Sequence, residues 1–242
     1  MKVKTMTFQR KDNRAPDQLR PMEAKAGVIE NATGSAWFKI GETEAYAAVY
    51  GPREVFPRFK SNSRKGIIQC HYNMMPFSGM GDRVRPGGNR RSKEISLVMN
   101  NAFAPVIDLE EFPNLAMDVF VELPQTDAGS RCAAICAASI AIADAGFKMK
   151  DLVASVAVGV IDGDVFADLD YAEEAYEGEV SDIPLAIIPS TGEISLLQMD
   201  GKVTKDQLLS AIELGKSVVP QIIEAQRNAL RERYKDSGDI DE

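Results

Sequence analysis

The chain has 242 residues, 45% of them hydrophobic and 26% charged, with a formal net charge of −8. Such a composition suits a globular protein with a substantial core, and no apolar run approaches the roughly 20 residues of a membrane span. The basic residues at 2, 4, 10 and 11 have no apolar stretch behind them, so no signal peptide is expected and the cytoplasm is the expected location. Three cysteines, Cys70, Cys132 and Cys136, form no disulfide framework.

In chain order, residues 24–30 and 35–40 read as short strands joined by the turn Asn31-Ala-Thr-Gly34. A third strand, 44–50, is ended by Gly51-Pro52. Residues 53–65 form a basic loop, 66–74 a strand, and 78–89 an exposed glycine-rich loop. From 92 to 106, Ile95, Val98, Met99, Ala102 and Phe103 recur at helical spacing. Residues 115–123 alternate as a strand. The next segment, 129–145, is helical and apolar nearly all round, so it should be buried. Its Cys132 and Cys136 read as small buried thiols rather than a metal pair, because the single histidine, His71, lies far off in sequence. Four more strands follow at 152–160, 165–169, 183–188 and 194–199. The last helix opens with the capping box Thr204-Lys-Asp-Gln207 and runs to about 234, with a kink expected at Pro220. The acidic end, 236–242, is expected to fray. Strands come in groups rather than alternating with helices, which is an α+β fold.

Charge is strongly polarised. Between Arg53 and Lys93 there are ten basic residues against two acidic ones, Glu54 and Asp82. That local field suits a polyanion, although solvated basic loops would have the same composition. Between Asp162 and Asp182 there are nine acidic residues and no basic one, either a solvated face or a source of carboxylates for chemistry.

Two segments carry the pattern of phosphate cradles. In Pro86-Gly-Gly-Asn-Arg90-Arg91-Ser92, two guanidinium groups stand at a helix start behind glycine-rich backbone. In Gln125-Thr-Asp-Ala-Gly129-Ser130-Arg131, a glycine turn leads from a strand into the buried helix. Free N–H groups there suit an anion, and Asp127 or Thr126 could also cap the helix. Near such sites a carboxylate such as Asp182 could protonate a leaving oxygen or hold a Mg2+ ion. A serine triad would need His71, whose surroundings do not resemble a nucleophile elbow, and zinc chemistry lacks ligands.

Further segments complete a resemblance. They are Gln18-Leu-Arg-Pro21, Gly34-Ser-Ala36, Ala47-Ala-Val-Tyr-Gly-Pro-Arg-Glu54, Tyr72-Asn-Met-Met-Pro-Phe-Ser78, Arg90-Arg-Ser-Lys-Glu-Ile-Ser96, Thr126-Asp-Ala-Gly-Ser-Arg131, Asp144-Ala-Gly146 and Leu196-Leu-Gln-Met-Asp-Gly201. Spanning about 14–234, they resemble the RNase PH family, in the form that builds the catalytic ring of the archaeal exosome. The resemblance implies one RNase PH-like domain over 1–242, with two β-α-β-α halves of the ribosomal protein S5 domain 2-like type. It implies a six-membered ring alternating with a related subunit, RNA-binding cap subunits, and RNA as substrate. The implied reaction is 3′→5′ phosphorolysis, with inorganic phosphate as co-substrate and release of nucleoside diphosphates.

Position by position, Gly129, Ser130 and Arg131 match the family's phosphate site. Arg90 and Arg91 match its arginine pair, which contacts phosphate and RNA. Arg58 and Lys60 fall in the loop that grips RNA in the channel. The acidic stretch departs from the family pattern of Glu-Asp, five residues, Asp. Asp182 matches the second Asp, but the first, the family's general acid, falls on Ala175 with a small insertion or on Tyr176 without one. Glu174, Glu177 or Glu179 would have to substitute. Otherwise the chain is a catalytically silent RNA-binding subunit of the same ring.

Overall fold

The computed structural model describes residues 8–80, 83–85 and 87–235. The expected tail at 236–242, residues 1–7, and Gly81, Asp82 and Pro86 of the glycine-rich loop lie outside the described residues.

Apolar alternation in the first half produces a five-stranded sheet. Its strands are β1 (Met22–Ala26), β2 (Gly34–Ile40), β3 (Thr43–Glu54), β4 (Ile67–Met74) and β5 (Leu115–Gln125), in the order β1-β2-β3-β5-β4. All pairs are antiparallel except β4 with β5, which run parallel. That parallel pair requires a crossover, supplied by α1 (Arg90–Phe103). The second half forms a four-stranded antiparallel sheet from β6 (Ala154–Ile161), β7 (Asp164–Ala167), β8 (Val180–Ile188) and β9 (Glu193–Leu197), in the order β7-β6-β8-β9. Helix α2 (Ser130–Asp144) follows β5, α3 (Tyr171–Glu174) connects β7 to β8, and α4 (Lys205–Lys235) closes the chain.

Helix α2 is the centre of the molecule. It packs against β2 and β3 of one sheet and β6 and β8 of the other, which is why it tolerates no polar face. Every residue from Cys132 to Ile142 is buried. Small alanines let both sheets approach. Gly34 is required at the far end, where an added Cβ would fall 2.1 Å from the Ala145 backbone nitrogen. Ser139 is the polar exception, and its hydroxyl accepts from the Val153 N–H at 2.8 Å. One apolar cluster runs from Leu19 to Ile223 and includes residues of both sheets.

Some boundaries differ from the sequence expectation. Strand β1 ends at Ala26 because Gly27 turns the chain at φ +70. Strand β3 does not stop at Gly51-Pro52 but resumes its ladder with β5 at Arg53 after a register shift, since Pro52 has no N–H to pair. Helix α4 runs through Pro220 as one element, as expected, with Val218, Val219, Ile222 and Ile223 buried on either side of it. Its capping box forms as expected, with Gln207 Oε1 accepting from Thr204 N at 2.7 Å. The four-residue helix α3 was not foreseen.

Candidate active site

Everything at this site is arranged around the N-terminus of α2. Gly129 is its N-cap, in the left-handed region at φ +64, and no side chain caps the helix. The two expected caps are engaged elsewhere. Asp127 accepts from Arg20 Nη1 at 2.8 Å and from Tyr171 N at 3.0 Å. Thr126 bonds the Ser78 carbonyl through both its backbone N–H (2.7 Å) and its hydroxyl (3.3 Å). The helix end, with its partial positive charge, therefore faces an open cavity of about 500 Å³.

Cationic side chains converge on that end. The Ser130 hydroxyl accepts from the Tyr72 hydroxyl at 2.9 Å and from Arg91 Nη2 at 3.4 Å. With both lone pairs taken, its own hydrogen is free to donate. Burial pushes the Tyr72 phenol up, which keeps it a donor. Arg91 comes from the first turn of α1, whose start is fixed by a capping box between Asn89 and Ser92. Arg131 is held by Gln198 Oε1 at 2.7 Å. Gly129, Ser130, Arg131 and Arg91 all line the cavity, so the phosphate-site residues expected from sequence are brought together.

Two carboxyls face them. Asp182, on β8, lines the cavity and its Oδ1 is buried with no hydrogen-bond partner. Burial raises the Asp182 carboxyl above its usual range, with Asp200 adding repulsion and Arg131 and Arg91 opposing. Asp200 is brought alongside by a pair of backbone hydrogen bonds with Asp182, 2.9 and 2.8 Å. The second carboxyl is Glu174, the last residue of α3. Burial first, then the Asp182 charge, push it up to about 7, against the pull of the Gly129 N–H, Arg91 and Arg131. A carboxyl at that value can give or take a proton near neutrality.

The structure places Ala175, the expected position of the acid, away from the cavity. Ala175 is exposed and outside the cavity lining, because α3 ends there and the chain turns away. Tyr176 is also elsewhere: its ring packs on Phe8 and its hydroxyl donates to Asp162 at 3.0 Å. Glu177 and Glu179 are exposed and do not line the cavity. Of the carboxylates considered from sequence as substitutes, Glu174 is the one in the cavity.

The expected RNA contacts are not all in one place. Arg90 opens α1 beside the site but is exposed and does not line the cavity. Arg58 and Lys60 form a short 3-10 helix in their own exposed loop, flanked by Phe56 and Phe59 at 77% and 83% exposure. His71 is an exposed strand residue stacked on Phe120 at 4.7 Å. Sequence reasoning quoted the segments that hold Tyr72, Gln198 and Asp200 but did not assign these residues to the site, where Tyr72 meets Ser130, Gln198 meets Arg131 and Asp200 lies beside Asp182. Among the described residues, no group of three or more His, Cys, Asp or Glu is placed to hold a metal ion, and no helix is long and apolar enough to cross a membrane.

Residues 18–148 match the 3′ exoribonuclease family, domain 1, and residues 151–218 match its domain 2. The Exosome complex component Rrp41 of Methanopyrus kandleri is 47% identical over 225 residues, 93% of each chain. That of Archaeoglobus fulgidus is 47% identical over 233 residues, 95% of this chain and 89% of the relative. The crystal structure of rice (Oryza sativa) Rrp46 superposes with a TM-score of 0.82 at 26% identity, covering 92% of this chain and all of that one.

Proposed function

The chain belongs to the RNase PH family of 3′ exoribonucleases, and from that premise we propose that it is a catalytic-type ring subunit of an archaeal exosome, degrading RNA from its 3′ end by phosphorolysis. The observation that carries the reading is one cavity holding an anion cradle (the open α2 N-terminus, Ser130, Arg91 and Arg131) together with two raised carboxyls, Glu174 and Asp182.

The chemistry needs no protein nucleophile. Inorganic phosphate seats against the α2 N-terminus, with Arg131, Arg91 and the Ser130 hydroxyl holding its oxygens and neutralising charge. One phosphate oxygen attacks the phosphorus of the last phosphodiester. The bond from that phosphorus to the 3′ oxygen of the penultimate nucleotide breaks, and the oxygen takes a proton from Glu174. The products are a nucleoside 5′-diphosphate and an RNA one residue shorter. Burial first, and then repulsion from Asp182, favour the protonated Glu174. The unpartnered oxygen of Asp182 would be the group to hold a Mg2+ ion, which when bound would supply further charge neutralisation.

RNA reaches this cavity past exposed cationic groups. Arg90 and Arg91 grip the 3′ end. Arg58 and Lys60, beside the exposed rings of Phe56 and Phe59, hold the strand farther out by charge and stacking, without reading sequence. Relatives named as exosome components support assembly into an exosome; on this reading the chain alternates with a related RNase PH-like subunit in a hexameric ring that carries RNA-binding cap subunits.

The alternative is a ring subunit that binds RNA without cutting it, and Glu174 in the cavity favours the active reading. The two separate in one assay. The chain, co-expressed with its ring partner, is given poly(A), phosphate and Mg2+. Nucleoside diphosphates accumulating in proportion to phosphate support the proposal; RNA bound but left intact would reject it.

A further inference from the structure

The helix that presents Glu174 has four residues, too few to hold its own position by backbone hydrogen bonds. It is held from behind instead. Arg10, 3% exposed, donates from Nε to Glu173 Oε1 at 2.6 Å and from Nη2 to Glu173 Oε2 at 2.9 Å. The same guanidinium reaches the carbonyls of Ala167 (2.9 Å) and Asp168 (2.8 Å) on one side, and of Ala15 (3.2 Å) and Gln18 (3.4 Å) on the other. It lies over the Phe166 ring at 5.6 Å. Glu173 is itself buried, and its carboxylate also accepts from Asp170 N at 3.0 Å, closing the capping box of α3. The front of α3 has a second tether. Tyr171 N donates to Asp127, which Arg20 grips while clamping Asp168 at 2.7 and 2.9 Å.

We propose that Arg10 is a positioning residue for catalysis: by forking onto Glu173 it fixes the neighbouring Glu174 carboxyl against the Gly129–Ser130 helix end, opposite Asp182. This rests on the reading of Glu174 as the acid. Arg10 touches no substrate. It lies behind α3, away from the cavity lining, and acts only through the residue it holds. Arginine is needed because its planar fork meets both carboxylate oxygens at once, whereas lysine offers one point charge. A loosened α3 would let Glu174 drift. A misplacement of about 1 Å in such a group costs on the order of 10²-fold in rate.

An ordinary structural ion pair would behave differently, and epistasis separates the two. Steady-state phosphorolysis of poly(A) is measured on the co-assembled ring carrying Arg10→Lys, Glu174→Gln, or both. Expected is a fall in kcat of about 10²-fold for Arg10→Lys, with KM for RNA nearly unchanged and no further fall when Arg10→Lys is added to Glu174→Gln. Unchanged kcat in Arg10→Lys, or the same factor lost in both backgrounds, would overturn the proposal. Should Arg10→Lys fail to assemble, Glu173→Gln, which keeps the capping oxygen and removes the charge that the fork grips, carries the same test with the same outcomes. The two readings fail separately. A Glu174→Gln ring as active as its parent sinks the acid assignment, whereas an impaired Glu174→Gln ring beside an unaffected Arg10→Lys ring sinks only the clamp.

Discussion

Replacing Glu174 by Gln should move activity and stability in opposite directions. Glutamine has nearly the same shape and keeps a carbonyl oxygen for the Gly129 N–H, but it has no proton to give. A positioned general acid is worth about 10²–10⁴ in rate, so phosphorolysis should fall by that factor. In the parent, kcat should also decline as pH rises through about 7, because Glu174 loses the proton it must donate. Stability follows from linkage. Glu174 binds its proton more tightly folded, near 7, than as an ordinary glutamate at 4.5. The folded state therefore loses stability as pH climbs from 4.5 towards 7, and above 7 the loss is complete. The gap corresponds to an upper value of about 3 kcal/mol, reduced to about 1–2 kcal/mol once partial exposure is allowed for. Glutamine escapes that loss. Denaturant unfolding near pH 8 should show Glu174→Gln more stable than its parent by that amount, and the two should nearly coincide near pH 5. Full activity in Glu174→Gln, or a variant no more stable than its parent near pH 8, would refute the reasoning.

Further outcomes can be checked alongside. Arg131→Ala removes a charged donor from the phosphate seat and should cost about 1.5–3 kcal/mol, read as a KM for phosphate raised by roughly one to two orders of magnitude; an unchanged phosphate dependence would remove Arg131 from the seat. Arg58→Ala with Lys60→Ala should weaken binding of all RNA sequences alike and flatten the plot of log affinity against log salt by about 1.4, two single-strand phosphate contacts; a base-specific loss would contradict a sequence-blind grip. Ala175→Asp should leave the rate as it is, since Ala175 lies outside the cavity; a rate gain near that expected of a general acid would return the acid to that position.

The parts of this molecule legible in its sequence are those whose causes are local. Helix α2 could be recognised because apolar residues on all its faces have one physical explanation, a sheet on either side. The grouping of Gly129, Ser130 and Arg131 at an open helix start could be recognised because strand, glycine turn, serine and arginine place donors by chain connectivity alone. The acid could not. Nine carboxylates lie between Asp162 and Asp182, and nothing periodic marks the four-residue helix that turns one of them inward. That orientation is set by Arg10, 163 residues from Glu173, and by Asp127, 44 residues from Tyr171. The same distance effect misled the reading of Asp127 as a helix cap. Its carboxylate is taken by Arg20, 107 residues away, and by Tyr171 N, while Thr126 is taken by the Ser78 carbonyl, so neither caps α2. Gly51-Pro52 reads locally as a strand end, yet β5 pairs with β3 on both sides of it.

The central claim is that phosphate, not water, breaks the RNA chain in the cavity at the α2 N-terminus. Radiolabelled inorganic phosphate supplied with unlabelled poly(A) to the assembled ring tests it directly. The account predicts label in the β-phosphate of ADP, lost together with RNA shortening in Arg131→Ala and Glu174→Gln. Unlabelled AMP as the product, or labelled ADP formed equally well by both variants, would contradict it.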